Sequence, residues 1–124
     1  MTSLLLVGSG GFIGAVLRYQ LGVFVIEQTK PGKLPLHTML VNIVGCLVAG
    51  VLAGLAEKHA LSANAKLFLF AGLLGGFTTF SAFGLETVYL LERQEFVAAG
   101  ANVLISVAVA TLALWIGLTY CAGR

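Results

Sequence analysis

Four long apolar runs, set apart by three short polar stretches, account for almost the whole chain. The runs cover about 3–26, 36–56, 66–91 and 96–120, and the polar stretches are 27–35, 57–65 and 92–95. A bilayer core takes about 20 predominantly apolar residues as a helix, and each run reaches that length. The runs are continuous and lack the apolar-polar alternation of a membrane barrel strand. The pattern predicts an all-α integral membrane protein with four transmembrane helices in a single domain, residues 1–124.

Small and polar residues interrupt the runs in a helical rhythm. In the first run Gly8, Gly11, Ala15, Arg18 and Gly22 are spaced by 3, 4, 3 and 4 residues, which places them on one stripe. Such a stripe lets another helix approach closely. Arg18 shares it and is expected to face protein or water. An ionisable residue inside a membrane is a functional-site hypothesis; the alternative is an arginine that snorkels to the interface. In the second run Asn42, Gly45 or Cys46, Ala49, Ala53 and Ala56 form a similar stripe. Asn42 stands alone there as a strongly polar side chain. Its amide can bond a neighbouring helix or donate to an anion. The fourth run carries Asn102, Ser106, Ala110, Ala113 and Gly117 on one stripe, with Trp115 and Tyr120 towards its end, where interfacial aromatics belong.

The third run is the unusual one. It contains Gly75-Gly76-Phe77-Thr78-Thr79-Phe80-Ser81 at its centre. Glycine costs about 1 kcal/mol in a helix interior relative to alanine, and threonine and serine hydroxyls compete for backbone hydrogen bonds. One reading is a broken membrane helix, whose freed backbone must be buried by protein or line a polar cavity. That reading places an ion or substrate site near the midplane. The other is a glycine-rich packing seam with inert hydroxyls. Phe80, Phe83 and Glu86 recur at intervals of three and share a face.

Composition sharpens the class. The chain is 59% hydrophobic and 10% charged, against about a quarter charged in soluble domains. Its net charge of +2 comes without a basic run, so nucleic acid is not an expected partner. No nucleotide loop, nucleophile-base set or metal-ligand spacing is present in the sequence, so neither pumping nor catalysis is expected. Cys46 and Cys121 read as apolar filler, and His37 and His59, at loop edges, carry no assigned role. No Lys or Arg precedes Arg18, so the first run reads as a retained span rather than a signal peptide.

The charges also bear on orientation. With four spans, Lys58, Lys66 and Arg124 lie on one side, and Lys30, Lys33 and Arg93 on the other. The positive-inside rule acts through an excess on one side, and here there is none. The balance predicts insertion in both orientations and an antiparallel homodimer, an isologous two-fold pair with its axis in the membrane plane.

Taken together, Gly10-Gly11-Phe12-Ile13-Gly14-Ala15-Val16-Leu17-Arg18-Tyr19, Leu40-Val41-Asn42-Ile43-Val44-Gly45, and Gly75-Gly76-Phe77-Thr78-Thr79-Phe80-Ser81-Ala82-Phe83 with Glu86 following resemble the Fluc/CrcB family of fluoride channels over nearly the whole chain. The third motif is the most specific. The resemblance implies a dual-topology homodimer in the cell inner membrane that passively exports fluoride from the cytoplasm. It implies a structural sodium ion at the dimer interface, held by the backbone carbonyls of Gly75 and Thr78 from both subunits. It implies two pores, with Phe80 and Phe83 offering ring edges and Asn42 its amide. Thr79, Ser81 and Ser106 would serve as hydroxyl donors along or beside the path, and Arg18 would make a vestibule electropositive. Glu86 matches an acidic residue near the pore, without a firm role. Ala82 departs from the pattern, since the family often has Thr or Ser there; one donor is missing from the polar track.

Two rivals differ in class. A small dual-topology multidrug or cation exporter needs a carboxylate deep in the first span, where this chain has Arg18. A membrane scaffold, whose glycines only pack helices, predicts that Phe80 and Asn42 tolerate change.

Overall fold

The computed structural model describes all 124 residues. Four helical stretches are long and apolar enough to cross a membrane: Thr2–Gln28, Leu36–Lys58, Ala63–Glu92 and Phe96–Ala122. The first, second and fourth are the continuous helices α1 (Thr2–Gln28), α2 (Leu36–Lys58) and α6 (Phe96–Ala122). The third is built in pieces. A short α3 (Ala63–Lys66) opens into a π-helical segment, Leu67–Leu74, which tightens into one turn, α4 (Gly75–Phe77); two extended residues follow, and the chain resumes as α5 (Phe80–Glu92).

Hydroxyl side chains begin and end these pieces. Ser62 caps α3 by accepting the Ala65 N–H at 3.1 Å. Thr78 Oγ1 donates to the Leu74 carbonyl at 2.9 Å and seals the end of α4. Thr79 is the N-cap of α5, its Oγ1 accepting the Ala82 N–H at 3.2 Å; such a cap contributes about 1 kcal/mol. At the chain's end Gly123 closes α6 at φ +76°, a left-handed conformation that glycine adopts without strain.

Close backbone approach arranges the spans. α2 lies along α6, α1 lies along the first half of the third span, and α5 returns to α6. A Cβ at Gly14 would lie 2.9 Å from the Phe77 nitrogen and drive into the Leu73 carbonyl. Gly50 meets the Leu114 and Leu118 backbone, and Gly117 answers from α6 against Leu47 and Val51. Small residues at such seams let dispersion act between backbones.

The stripe expected in α1 is corrected by this packing. Gly10, Gly14, Gly22 and Val25 are its buried residues. Gly8 and Gly22 have no neighbour within 4 Å of an added Cβ. The seam runs through Gly10, Gly11 and Gly14, because α1 crosses the third span only in its middle. The reason for the break also differs. Gly75 is helical at φ −61°, ψ −36°, and Gly76 is small because the Gly11 backbone lies against it. The chain leaves the helix at Thr78 (φ −82°, ψ 153°) and Thr79 (φ −146°, ψ 106°). The glycines pack, the threonines break.

Only 18 of 124 residues are buried, too few for a self-contained core. One buried cluster, Leu90, Ala98 and Ala99, pins α5 to α6. Most apolar side chains face outward, as they do on a surface that meets lipid or another chain.

Candidate functional site

The break is held by one side chain. Asn42 Nδ2 donates to the Thr79 carbonyl at 3.0 Å, and its Oδ1 accepts the Thr79 N–H at 2.8 Å. A backbone N–H can only donate, so the orientation of the amide is fixed. Asn42 thus does for Thr79 what a neighbouring strand would do, satisfying both groups that leaving the helix sets free. Its second amide hydrogen is left over.

The break also frees carbonyls. In an unbroken helix the Gly75 carbonyl would accept from Thr79 N–H, and the Thr78 carbonyl from Ala82 N–H. Here Thr79 N–H goes to Asn42, and Ala82 N–H goes to the Thr79 hydroxyl. Both carbonyls lose their helical donors. The Gly76 carbonyl gains one, since Arg18 Nε donates to it at 3.1 Å. Arg18 is half-buried, and this bond ties α1 to the break.

Two cavities meet at Thr79. The larger, about 300 Å³, is lined by Asn42, Thr79, Phe80, Phe83 and Ser106, with Cys46 and Thr78 beside them. The rings of Phe80 and Phe83 are 5.4 Å apart and tilted by 42°, and Phe80 is 82% exposed. Ser81, exposed, stands 3.3 Å from the Thr79 hydroxyl and outside this lining. Ser106 reaches the groove from α6 and belongs to a polar ladder. It donates to Asn102 Oδ1 at 3.2 Å; Asn102 donates to Thr87 Oγ1 at 2.9 Å; Thr87 donates to the Phe83 carbonyl at 2.7 Å. Asn102 is wholly buried. Sequence reading had Asn102 only as a stripe residue and passed over Thr87, although Thr87 falls one turn after Phe83.

The second cavity, about 230 Å³, holds Arg18, Tyr19, His37, Thr38 and Glu86 together with Thr79 and Ala82. Arg18 and Glu86 therefore share one cavity, and it is not purely electropositive. Thr38 Oγ1 donates to Glu86 Oε1 at 2.6 Å, and His37 Nε2 lies 3.3 Å from the same oxygen. Glu86 Oε2 is buried without a hydrogen-bond partner. Neither His37 nor Thr38 was singled out from sequence. The signal for Thr38 was available, because it lies four residues before Asn42, on the same face of α2.

The larger groove offers ring edges, an amide hydrogen and hydroxyls, with no fixed charge in its lining. Ring edges carry the positive part of the aromatic quadrupole. Such a surface suits a small anion.

Comparison with known proteins gives the family. The family model described as "CrcB-like protein, Camphor Resistance (CrcB)" matches residues 5–118. Among curated proteins, one from Methylobacillus flagellatus is 45% identical over 94% of this chain and 92% of its own length. One from Rhizobium etli is 45% identical over 95% and 94%, and one from Roseobacter denitrificans is 44% identical over 99% and 98%. Each of these three is named "Fluoride-specific ion channel FluC". With four membrane-spanning helices and a family match over nearly its full length, this multi-pass membrane protein belongs to the CrcB-like family.

Proposed function

We propose that this protein is a fluoride channel of the inner membrane, built from two antiparallel copies, that lets fluoride leave the cytoplasm passively. The observation that carries the reading is the Thr78–Thr79 break, clamped by Asn42 beside the Phe80–Phe83 groove. The relatives' printed name supports the identity of the ion. Fluoride is small and strongly hydrated, so a route must replace its water with several donors, none so strong that the ion is trapped. Asn42, Thr79, Ser106 and the two rings provide that kind of lining. Ser81 extends the donors past the lining through its contact with Thr79. The inside-negative potential, worth about 2.3 kcal/mol per charge per 100 mV, drives an anion outward without any energy-coupling machinery.

The second copy is supported by exposure and by charge. Phe80 lines the groove yet remains largely exposed, and the basic residues of the loops and C-terminus divide three against three between the two faces. A structural sodium ion fits the donor chemistry. Hard cations take oxygen ligands, and the Gly75 and Thr78 carbonyls are among those whose helical donors the break removes. When bound, the cation would tie two broken helices together; it takes no part in moving the anion. The chain acts as a conduit and not as an enzyme.

The test is fluoride efflux from liposomes holding the purified protein, read with a fluoride electrode. The expected result is rapid fluoride release with chloride retained. Vesicles that contain folded protein and release fluoride no faster than empty ones would overturn the proposal.

A further inference from the structure

We propose that Asn102, held in turn by Thr87, is a positioning residue that keeps the single hydroxyl proton of Ser106 turned away from the groove, so that Ser106 holds a passing fluoride only while this ladder is reversed. The inference rests on the proposed fluoride conduction and deepens it. Ser106 lines the groove from α6, and Asn102 lies one turn earlier with no exposed surface. The three bonds of the ladder have one consistent direction. The Phe83 carbonyl can only accept, so Thr87 Oγ1 spends its proton there, at 2.7 Å. Thr87 Oγ1 is then an acceptor for its other neighbour, and the Asn102 amide must turn Nδ2 towards it, at 2.9 Å. That leaves Asn102 Oδ1 facing Ser106, whose hydroxyl donates to it at 3.2 Å. A hydroxyl has one proton, so Ser106 meets the groove with lone pairs.

The two polar walls of the groove therefore differ. Asn42 gives one amide hydrogen to the Thr79 carbonyl and has a second to spare. Ser106 has none to spare. Its lone pairs repel an anion, and it becomes a donor when the ladder turns over. In the reversed form the Thr87 hydroxyl donates to Asn102 Oδ1, Nδ2 donates to Ser106 Oγ, and the Ser106 proton points into the groove. The Phe83 carbonyl stays paired, because within α5 it also accepts the Thr87 backbone N–H. Reversal costs one hydrogen bond, and an anion at Ser106 supplies one in its place. A bond to a charged partner is the stronger of the two, so the exchange favours the ion by a small margin. Such a site takes fluoride up and lets it go, as conduction requires. The plainer reading is a buried amide that only joins α5 to α6. It predicts a loss of stability on substitution, with no effect on the ion that depends on Ser106.

The experiment measures fluoride efflux from liposomes over a range of internal fluoride concentrations and reads the concentration at half-maximal flux. Thr87→Val keeps the outline of the side chain and removes the hydroxyl that pins the amide. The amide then turns without losing a bond, and the Ser106 proton is free for the ion. Half-saturation is expected at about fivefold lower fluoride, the worth of about one hydrogen bond. Thr87→Ala removes the same hydroxyl and is expected to shift the same way. Thr87→Ser restores it and is expected to restore the unaltered value. In a Ser106→Ala background, Thr87→Val is expected to change nothing further. Half-saturation unmoved in both Thr87→Val and Thr87→Ala overturns the assignment of Asn102 alone, and so does an equal shift in the Ser106→Ala background. If the unaltered protein passes no more fluoride than empty vesicles, the channel reading falls, and this inference with it.

Discussion

Replacing Asn42 with alanine tests the clamp on the broken helix. The change removes the bonds of 3.0 Å and 2.8 Å to Thr79 and leaves that residue's N–H and carbonyl without protein partners. A buried unsatisfied group costs about 1–3 kcal/mol, which sets a ceiling near 6 kcal/mol for the pair. The groove beside them is open and large enough for water, about 300 Å³, so water recovers part of that cost. Hydrogen bonds between membrane helices are worth about 0.6–2 kcal/mol, and a loss of about 1–2 kcal/mol in folding stability is expected. Function should suffer more than folding. The same clamp aims Phe80 and presents an amide hydrogen, so fluoride flux should fall at least about tenfold, equivalent to about 1.4 kcal/mol. Thermal unfolding in detergent and efflux from liposomes measure the two effects separately. Thr79→Ala removes the α5 cap, at about 1 kcal/mol. Because both residues hold one break, the double variant should lose less stability than the sum of the singles. Additive losses, or unaltered flux in Asn42→Ala, would refute the clamp.

Phe80→Ile keeps an apolar side chain and removes the ring edge, so flux should drop at least about tenfold while size-exclusion behaviour stays unchanged. Gly14→Leu should destabilise by about 1–3 kcal/mol through overpacking against Leu73 and Phe77, whereas Gly8→Leu, with nothing within 4 Å, should be near neutral in thermal unfolding. If the proposed sodium ion bridges two copies, replacing sodium by N-methylglucamine should weaken their pairing, seen as more monomer on dilution in detergent, because the Gly75 and Thr78 carbonyls would lose their proposed shared cation.

The chain's apolar runs disclosed four spans because continuous hydrophobicity over about 20 residues has few other uses. The run of glycine and threonine disclosed an irregular third span because those residues weaken a helix. It did not disclose which of them did the breaking. Gly76 and Thr78 are both poor helix residues, glycine the poorer, so propensity points at the wrong one; the Gly11 backbone beside Gly76 is what separates their tasks. The partner of Asn42 was out of reach, since it sits 37 residues away and is backbone, which any sequence supplies. The same holds for Arg18 and the Gly76 carbonyl, 58 residues apart. The π-helical stretch Leu67–Leu74 reads as an ordinary apolar helix in sequence. His37 was passed over because a histidine after a proline-bounded loop looks like surface; its approach to Glu86 depends on how α5 leans on the start of α2.

The most direct test is a reversal potential across a planar bilayer, with fluoride on one side and chloride on the other. A fluoride-selective pathway built on the Asn42-held break predicts a potential displaced strongly towards the fluoride equilibrium value, and loss of the current in Asn42→Ala. A potential near zero, with both halides carrying current equally, would contradict it.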